Sequence, residues 1–153
     1  MNKKNLPLLA GLLLVSYVSQ GQITVDTDAP YDLPENLVND VFLGGGVVAS
    51  NIEYTGGANQ MGFYAFGPDN GVTFADGLVM STGAVETLVP GGSFSAPGGI
   101  SGNADLLSVA QSVPALIGES FTVSSVNDIA ILEFDFVPAG DYVEFNYVFA
   151  SDE

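Results

Sequence analysis

The sequence predicts a mainly β fold: an antiparallel, jelly-roll-like β-sandwich with one N-terminal helix packed on it. Beyond residue 44, short apolar runs alternate with glycine-rich stretches, which is typical of strands joined by turns. Before that point, residues 33–43 carry apolar side chains at helical spacing. Hydrophobic residues make up 47% of the 153-residue chain, which is enough for one folded domain and argues against disorder.

Residues 1–21 have the three-part layout of a secretory signal peptide. Two lysines precede an apolar stretch at 6–18, and small or polar residues follow up to Gly21. About 13 apolar residues are fewer than the roughly 20 that a membrane-spanning helix needs. We therefore predict cleavage after Gly21, a mature domain at 22–153 without a membrane span, and a secreted or cell-surface location. An uncleaved signal anchor is the alternative.

The helix that packs on the predicted sandwich lies at 33–43. Pro34 suits its first turn, and Glu35 lies at the positive end of the helix dipole. The triple glycine that begins at Gly44 is expected to end it.

Five β-type runs follow the helix, and glycine-rich turns separate most of them. They lie at 47–54, 61–66, 77–81, 129–137 and 142–150. The stretch 87–102 is rich in Gly, Ser and Pro and is predicted to be a long surface loop. A short helix is predicted at 105–110, with Asp105 or Asn103 as its cap.

The last two runs predict a β-hairpin with a two-residue turn at 139–140. In that register Phe134 faces Phe145 on a continuous apolar face, and Asp135 lies directly opposite Glu144 on the other face. The apolar face needs a second layer over it, which is the reason for predicting a sandwich.

The charge of the chain excludes most catalytic chemistry. It has 18 Asp and Glu, no His and no Cys, and its two basic residues are lysines within the predicted signal peptide. With 18 carboxylates and no cation, the mature part would carry about −18, which repels nucleic acid. Ser/His/Asp and Cys/His catalysis, Schiff-base lysines and the usual zinc, iron or copper sites all need residues that are absent. We therefore expect neither an enzyme nor a nucleic-acid partner.

Calcium is the metal that this composition favours, because calcium prefers oxygen ligands. The candidate ligands are Asp152, Glu153, Asp135 and Glu144. Two facing carboxylates in a sheet are destabilising unless a cation or water screens them. The Asp-x-Asp at 26–28 resembles the start of a calcium loop, but it lacks the later Gly and Glu of that motif, so a solvated N-terminal arm is the favoured interpretation there and a calcium ligand pair the alternative. A solvated acidic surface is the alternative for the other candidates.

Several blocks together carry a resemblance to a known family. They are PENLVNDV at 34–41, VASNIEYTG at 48–56, DGLVMSTG at 76–83, and AILEFDFVP at 130–138 running into FNYVFASDE at 145–153. Their order and spacing resemble the choice-of-anchor L family. The resemblance implies an exported bacterial surface module without enzymatic activity. It also implies that the domain at 22–153 is incomplete at its C-terminal end, because the family continues beyond the last block.

These observations lead to two hypotheses of function. The first is a non-catalytic extracellular or cell-surface module with a structural or adhesive role, whose partners are cell-surface or matrix components. The alternative is a carbohydrate-binding β-sandwich, which the Gly/Ser-rich loops and the 10% aromatic content favour.

Overall fold

The computed structural model describes residues 22–68, 71–89 and 99–150. Within them, five strands form two antiparallel sheets, so the predicted β-rich, antiparallel character is confirmed. The strands are β1 (Thr24–Asp26), β2 (Val48–Thr55), β3 (Met61–Ala65), β4 (Asp76–Met80) and β5 (Ile131–Val137). The helices are α1 (Pro34–Asn36), which continues as a π-helix (Leu37–Phe42), a short 3-10 helix (Val85–Leu88) and α2 (Ala104–Ile117).

The first sheet has the strand order β1-β3-β4. Thr24 lies opposite Ala65, and Met61 lies opposite Met80. Short apolar runs separated by glycine-rich stretches predict β3 and β4 to within one residue at each end. The solvated arm expected at 26–28 is only partly correct, because Asp26 is the last residue of β1 and pairs with β3.

The second sheet consists of β2 and β5, which are antiparallel although they are far apart in the sequence. Val48 lies opposite Val137, and Thr55 lies opposite Ile131. The register shifts between Ser50 and Glu53.

The predicted hairpin between 129–137 and 142–150 is wrong. Residues 142–150 form no strand and each of them is exposed, so that, among the described residues, β5 pairs with β2 alone. Alternation shows that a segment suits a strand, but it does not identify the partner strand. An aromatic-rich strand also needs a layer over its apolar face, and every residue of 142–150 is more than a third exposed in the described structure.

The helices also differ from the expectation of one N-terminal helix. Where that helix is predicted, the chain forms one turn of α-helix and then a π-helix that ends at Phe42. The longest helix described is α2, which the sequence predicts only over 105–110. Its cap is the predicted Asn103, whose side chain accepts a hydrogen bond from the Leu106 N–H at 2.8 Å. The helix continues through Pro114 and ends at Gly118, which has a φ of 75°.

The buried core lies between the π-helix and the first sheet. Its hydrophobic members are Leu37, Val38, Met61, Val85 and Ile129. The same region buries one polar side chain, Gln60, which is fully excluded from solvent.

Gln60 joins three segments of the chain through its amide group. Its Oε1 accepts a hydrogen bond from the Gly57 N–H at 2.5 Å. Its Nε2 donates to the carbonyl oxygens of Thr82, at 2.8 Å, and Asp128, at 3.1 Å. All the polar atoms of this buried side chain are therefore satisfied, and Gln60 fixes the β2–β3 turn against the segments that follow β4 and precede β5.

Candidate functional site

An open apolar groove of about 510 Å³ lies between the two sheets. Leu78 and Met80 of β4 line one wall, and alternate residues of β5 line the other. The full set of lining residues is Phe42, Leu78, Met80, Leu132, Glu133, Phe134, Phe136 and Phe145. Glu133 is the one ionisable group among them, so the groove can hold apolar groups but offers no acid–base pair for catalysis.

Phe145 closes one side of this groove, although it lies outside any strand. Its ring lies 6.1 Å from the Phe42 ring and 6.4 Å from the Phe136 ring, measured between centroids. Phe42 also makes an edge-to-face contact with Phe134 at 5.9 Å. These distances are in the range of favourable aromatic pairs. The predicted proximity of residue 145 to the apolar face of β5 is thus correct, whereas the predicted strand pairing is not.

The second sheet carries three exposed carboxylates. Glu53 of β2 lies directly opposite Glu133 of β5, and Asp135 lies opposite Ser50. The predicted register of Asp135 against Glu144 is wrong, because residues 142–150 form no strand; the residue opposite Asp135 is Ser50 of β2. Asp135 instead accepts a hydrogen bond through Oδ2 from the Asn51 side chain at 2.6 Å. The asparagine satisfies this carboxylate without a cation.

Among the described residues, the predicted calcium ligands Asp135 and Glu144 belong to no group of acidic side chains that could hold a metal ion. Across residues 22–68, 71–89 and 99–150, no three acidic side chains form a group that could hold a metal ion. Glu144 is exposed in the segment 142–150, and Asp152 and Glu153 lie outside the described residues.

The Asp-x-Asp at 26–28 forms a turn rather than an open ligand pair. Asp26 Oδ1 accepts a hydrogen bond from the Asp28 N–H at 2.9 Å, which is an Asx-type turn. Thr27, the middle residue of this turn, donates a hydrogen bond from its hydroxyl to Glu86 Oε1 at 2.5 Å. The carboxylates in this region thus accept hydrogen bonds from neutral donors.

A shallow pocket of about 300 Å³ at the end of β3 is a feature that sequence reasoning did not identify. Ala65, Phe66, Pro68, Ala75 and Asp76 line it. Phe66 has a φ of 64°, which is strained for an aromatic residue, and its side chain is 51% exposed. The Gly-Pro that follows Phe66 in the sequence indicated a turn here, but nothing in the sequence indicated an exposed ring beside a carboxylate.

The turn after β3 fixes the position of Phe66. A Cβ on Gly67 would lie only 1.8 Å from the Phe74 carbonyl oxygen, so no other residue fits there. The Gly67 N–H donates to the Ala75 carbonyl at 3.0 Å, and the Gly67 carbonyl accepts from the Val72 N–H at 2.9 Å. Tyr64 lies in β3, two residues before Phe66. Its burial and the nearby Asp76 carboxylate raise its pKa.

The comparisons with known proteins identify one family. A family model described as the Choice-of-anchor L domain matches residues 24–153. No curated protein and no solved structure matches the chain. Among the described residues, no helix is long and apolar enough to cross a bilayer. Since the match covers more than four-fifths of the sequence, the chain belongs to the choice-of-anchor L domain family, which indicates a surface-associated bacterial module.

Proposed function

We propose that this protein is a non-catalytic structural or adhesive module at the surface of a bacterium. The observation that carries the proposal is the family match over 24–153. The composition supports it, because the chain has no His, no Cys and no basic residue after Lys4. The open groove supports it as well, because one carboxylate among apolar residues offers no catalytic constellation. In this proposal the two sheets are the layers of a β-sandwich, since both contribute apolar side chains to the same groove.

The adhesive role is tested in a strain that lacks the gene. We expect the strain to be retained less well on cells or on matrix-coated surfaces, and the full-length gene to restore retention. Cell-surface components are the expected partners, and nucleic acid is not. Unchanged retention would contradict the adhesive role.

Export is part of the same proposal and has its own test. A signal peptide at 1–21 would give a mature protein that begins at Gln22 and is found outside the cytoplasm. N-terminal sequencing of the surface or secreted fraction measures this directly. An intact Met1 in that fraction would show that the signal is not removed.

We also propose that calcium stabilises the protein. A surface with about 18 negative charges and no cation weakens the compact state by self-repulsion, and a divalent ion relieves that repulsion. A specific site at Asp152 and Glu153 would add a calcium-specific part. The test compares the melting temperature in calcium with that in magnesium at equal ionic strength. Equal effects, or no loss of the calcium-specific part in the double substitution Asp152→Asn and Glu153→Gln, would reduce the effect to charge screening.

Carbohydrate binding is the second candidate function, and the pocket at Phe66 favours it. A half-exposed ring can stack on the apolar face of a sugar, and the adjacent Asp76 carboxylate can accept hydrogen bonds from hydroxyl groups. A glycan array with the full chain tests this function. Phe66→Ala should abolish any saturable binding, whereas Phe121→Ala, at a ring that is 50% exposed outside this pocket, should retain it. No binding, or equal binding by the two variants, would exclude a sugar site at Phe66.

A further inference from the structure

The pocket at the end of β3 combines an aromatic ring with a carboxylate. We define the Phe66 pocket as Ala65, Phe66, Pro68, Ala75 and Asp76, which line about 300 Å³. The Phe66 side chain is 51% exposed, and Asp76 is exposed as well. This volume is at the lower limit of small-molecule sites, which range from about 300 to about 1,000 Å³. The pocket therefore suits one small ring rather than a long chain of atoms.

The backbone holds the ring and the carboxylate close to each other. Asp76 begins β4 and lies opposite Ala65, which ends β3 and directly precedes Phe66. Gly67 then turns the chain, and its N–H donates to the Ala75 carbonyl at 3.0 Å. Phe66 keeps a φ of 64°, a strained value that persists only where surrounding contacts enforce it. Both groups are therefore in place before a ligand arrives, which lowers the entropic cost of binding.

Asp76 has no positively charged side chain to pair with in the described part of the chain. The sequence contains no Arg, no His and no Lys after Lys4. The Asp76 charge reaches Tyr64, whose pKa is raised first by burial and then by this carboxylate. A metal ion is a poor substitute, because Asp76 belongs to no group of three acidic side chains among residues 22–68, 71–89 and 99–150. The carboxylate thus favours a ligand that brings its own positive charge.

The single aromatic ring of the pocket narrows the class of ligand further. A simple alkylammonium is bound best by a cage of several aromatic rings, whereas Phe66 is the one aromatic residue among those that line this pocket. A sugar has an apolar face that can cover such a ring. A sugar with an ammonium group would use both parts of the pocket, since its ring contacts Phe66 and its charge lies near Asp76.

We propose that the Phe66 pocket binds amino sugars, which carry a protonated amine, in preference to neutral and acidic sugars. This inference rests on the carbohydrate-binding function proposed above for the same pocket and specifies its ligand. Neutral sugars gain the contact with the ring alone. Acidic sugars are disfavoured twice, because Asp76 repels them in the pocket and about 18 uncompensated carboxylates repel them at longer range.

The test titrates the isotope-labelled full chain with glucosamine, glucose and glucuronic acid, and follows the backbone amides of Ala65 and Gly67 by NMR. The three sugars share one ring and differ in charge, because at about pH 6 the amine is protonated and the acid is ionised. At matched ionic strength, we expect glucosamine to bind about two- to fivefold more tightly than glucose, which is the factor that an exposed ion pair supplies. Glucuronic acid should bind more weakly than glucose.

Two charge-matched variants separate the effect of the pocket from that of the overall charge. Asp76→Asn removes one negative charge at the pocket and should bind glucosamine no more tightly than glucose. Glu119→Gln removes one negative charge at an exposed position after α2, outside this pocket, and should keep the preference for glucosamine. Phe66→Ala should remove the binding of all three sugars.

The contrary outcomes are distinguishable. Equal binding of glucosamine and glucose by the unchanged chain would refute the preference and leave a sugar site at Phe66. A preference that survives in Asp76→Asn, or is lost in Glu119→Gln, would refute its assignment to the pocket. Butylamine that binds as tightly as glucosamine would overturn the proposal too, because the pocket would then recognise any ammonium group, such as a lysine side chain of a protein. Binding of no sugar at all would refute the carbohydrate-binding function and this inference with it.

Discussion

Gln60 is the position at which one atom exchange should cost the most stability. In Gln60→Glu the shape of the side chain is retained, and the carboxylate can still accept the hydrogen bond from the Gly57 N–H. The amide nitrogen, however, becomes an oxygen that faces the carbonyl oxygens of Thr82 and Asp128 at 2.8 Å and 3.1 Å. Two donated hydrogen bonds are lost and replaced by repulsion.

The magnitude follows from the burial of this side chain. Leaving two buried carbonyl groups unsatisfied costs about 1–3 kcal/mol each. Full exclusion of Gln60 from solvent adds a penalty for burying a charge, which the new glutamate reduces by binding a proton. We therefore expect a loss of at least about 3 kcal/mol at pH 7, which is a large part of the roughly 5–15 kcal/mol that stabilises a typical domain.

The pH dependence gives the substitution a signature. Burial raises the pKa of the introduced carboxyl in the folded state above its unfolded value of about 4.3. The variant is therefore least destabilised below about pH 4, and its stability relative to the unchanged protein falls as the pH rises towards the folded pKa. Above that pKa the difference becomes constant.

Urea unfolding of the full chain, followed by circular dichroism between pH 4 and pH 8, measures this difference. Gln111→Glu is the matched control, because it makes the same exchange at an exposed position with one hydrogen bond. We expect the control to lose less than about 1 kcal/mol at every pH. Equal stability of the two variants at pH 7 would refute the role assigned to Gln60.

Three further predictions concern stability. Gly62→Ala should cost about 1–3 kcal/mol in urea unfolding, because its Cβ would lie 2.8 Å from the Asp26 carbonyl oxygen, whereas Gly140→Ala, with open space around it, should be neutral. Burial raises the pKa of Tyr54, so the stability that this tyrosine contributes is present below about pH 10 and is lost as the pH rises through the folded pKa. Tyr54→Phe should remove that part of the alkaline loss of stability. A variant whose stability falls with pH just as that of the unchanged protein does would contradict this. Asn103→Ala should cost about 0.5–2 kcal/mol and speed hydrogen exchange in the first turn of α2, and unchanged exchange there would show that the cap is dispensable.

The sequence predicts local structure here better than it predicts pairing. Short apolar runs between glycine-rich stretches locate β3 and β4 to within one residue at each end, and these two strands, adjacent in the sequence, also pair with each other. The partner of β5 is a different matter. Both β2 and the segment 142–150 have a pattern that suits pairing with β5, whose two edges could take one each, and nothing local shows that only β2 pairs with it in the described residues. The predicted hairpin followed the shorter connection and was wrong.

Pro114 lies within α2, beyond the residues 105–110 over which the sequence predicts a helix. Pro114 lacks an N–H and usually ends or kinks a helix, so a helix that stops before it is the simpler prediction. In the structure the helix continues by almost one turn, and the Pro114 carbonyl then accepts hydrogen bonds from the Gly118 and Glu119 N–H groups. The candidate site shows the same limit, because the pocket at Phe66 depends on a residue with positive φ that no local pattern predicts.

The hydrogen bonds of the acidic side chains show how this chain folds without a cation in its described part. Asp135 accepts from the Asn51 amide, Asp128 from the Gly99 N–H at 2.8 Å, and Glu86 from the Thr27 hydroxyl. Each donor is neutral, so added salt has no ion pair to weaken at these positions. Salt does screen the repulsion among the carboxylates, which stabilises the fold. The opposing effect of salt, the weakening of ion pairs, is absent at these positions. Stability should accordingly rise with sodium chloride between about 0.01 M and 0.5 M, over which the screening length falls from about 30 Å to well below 10 Å.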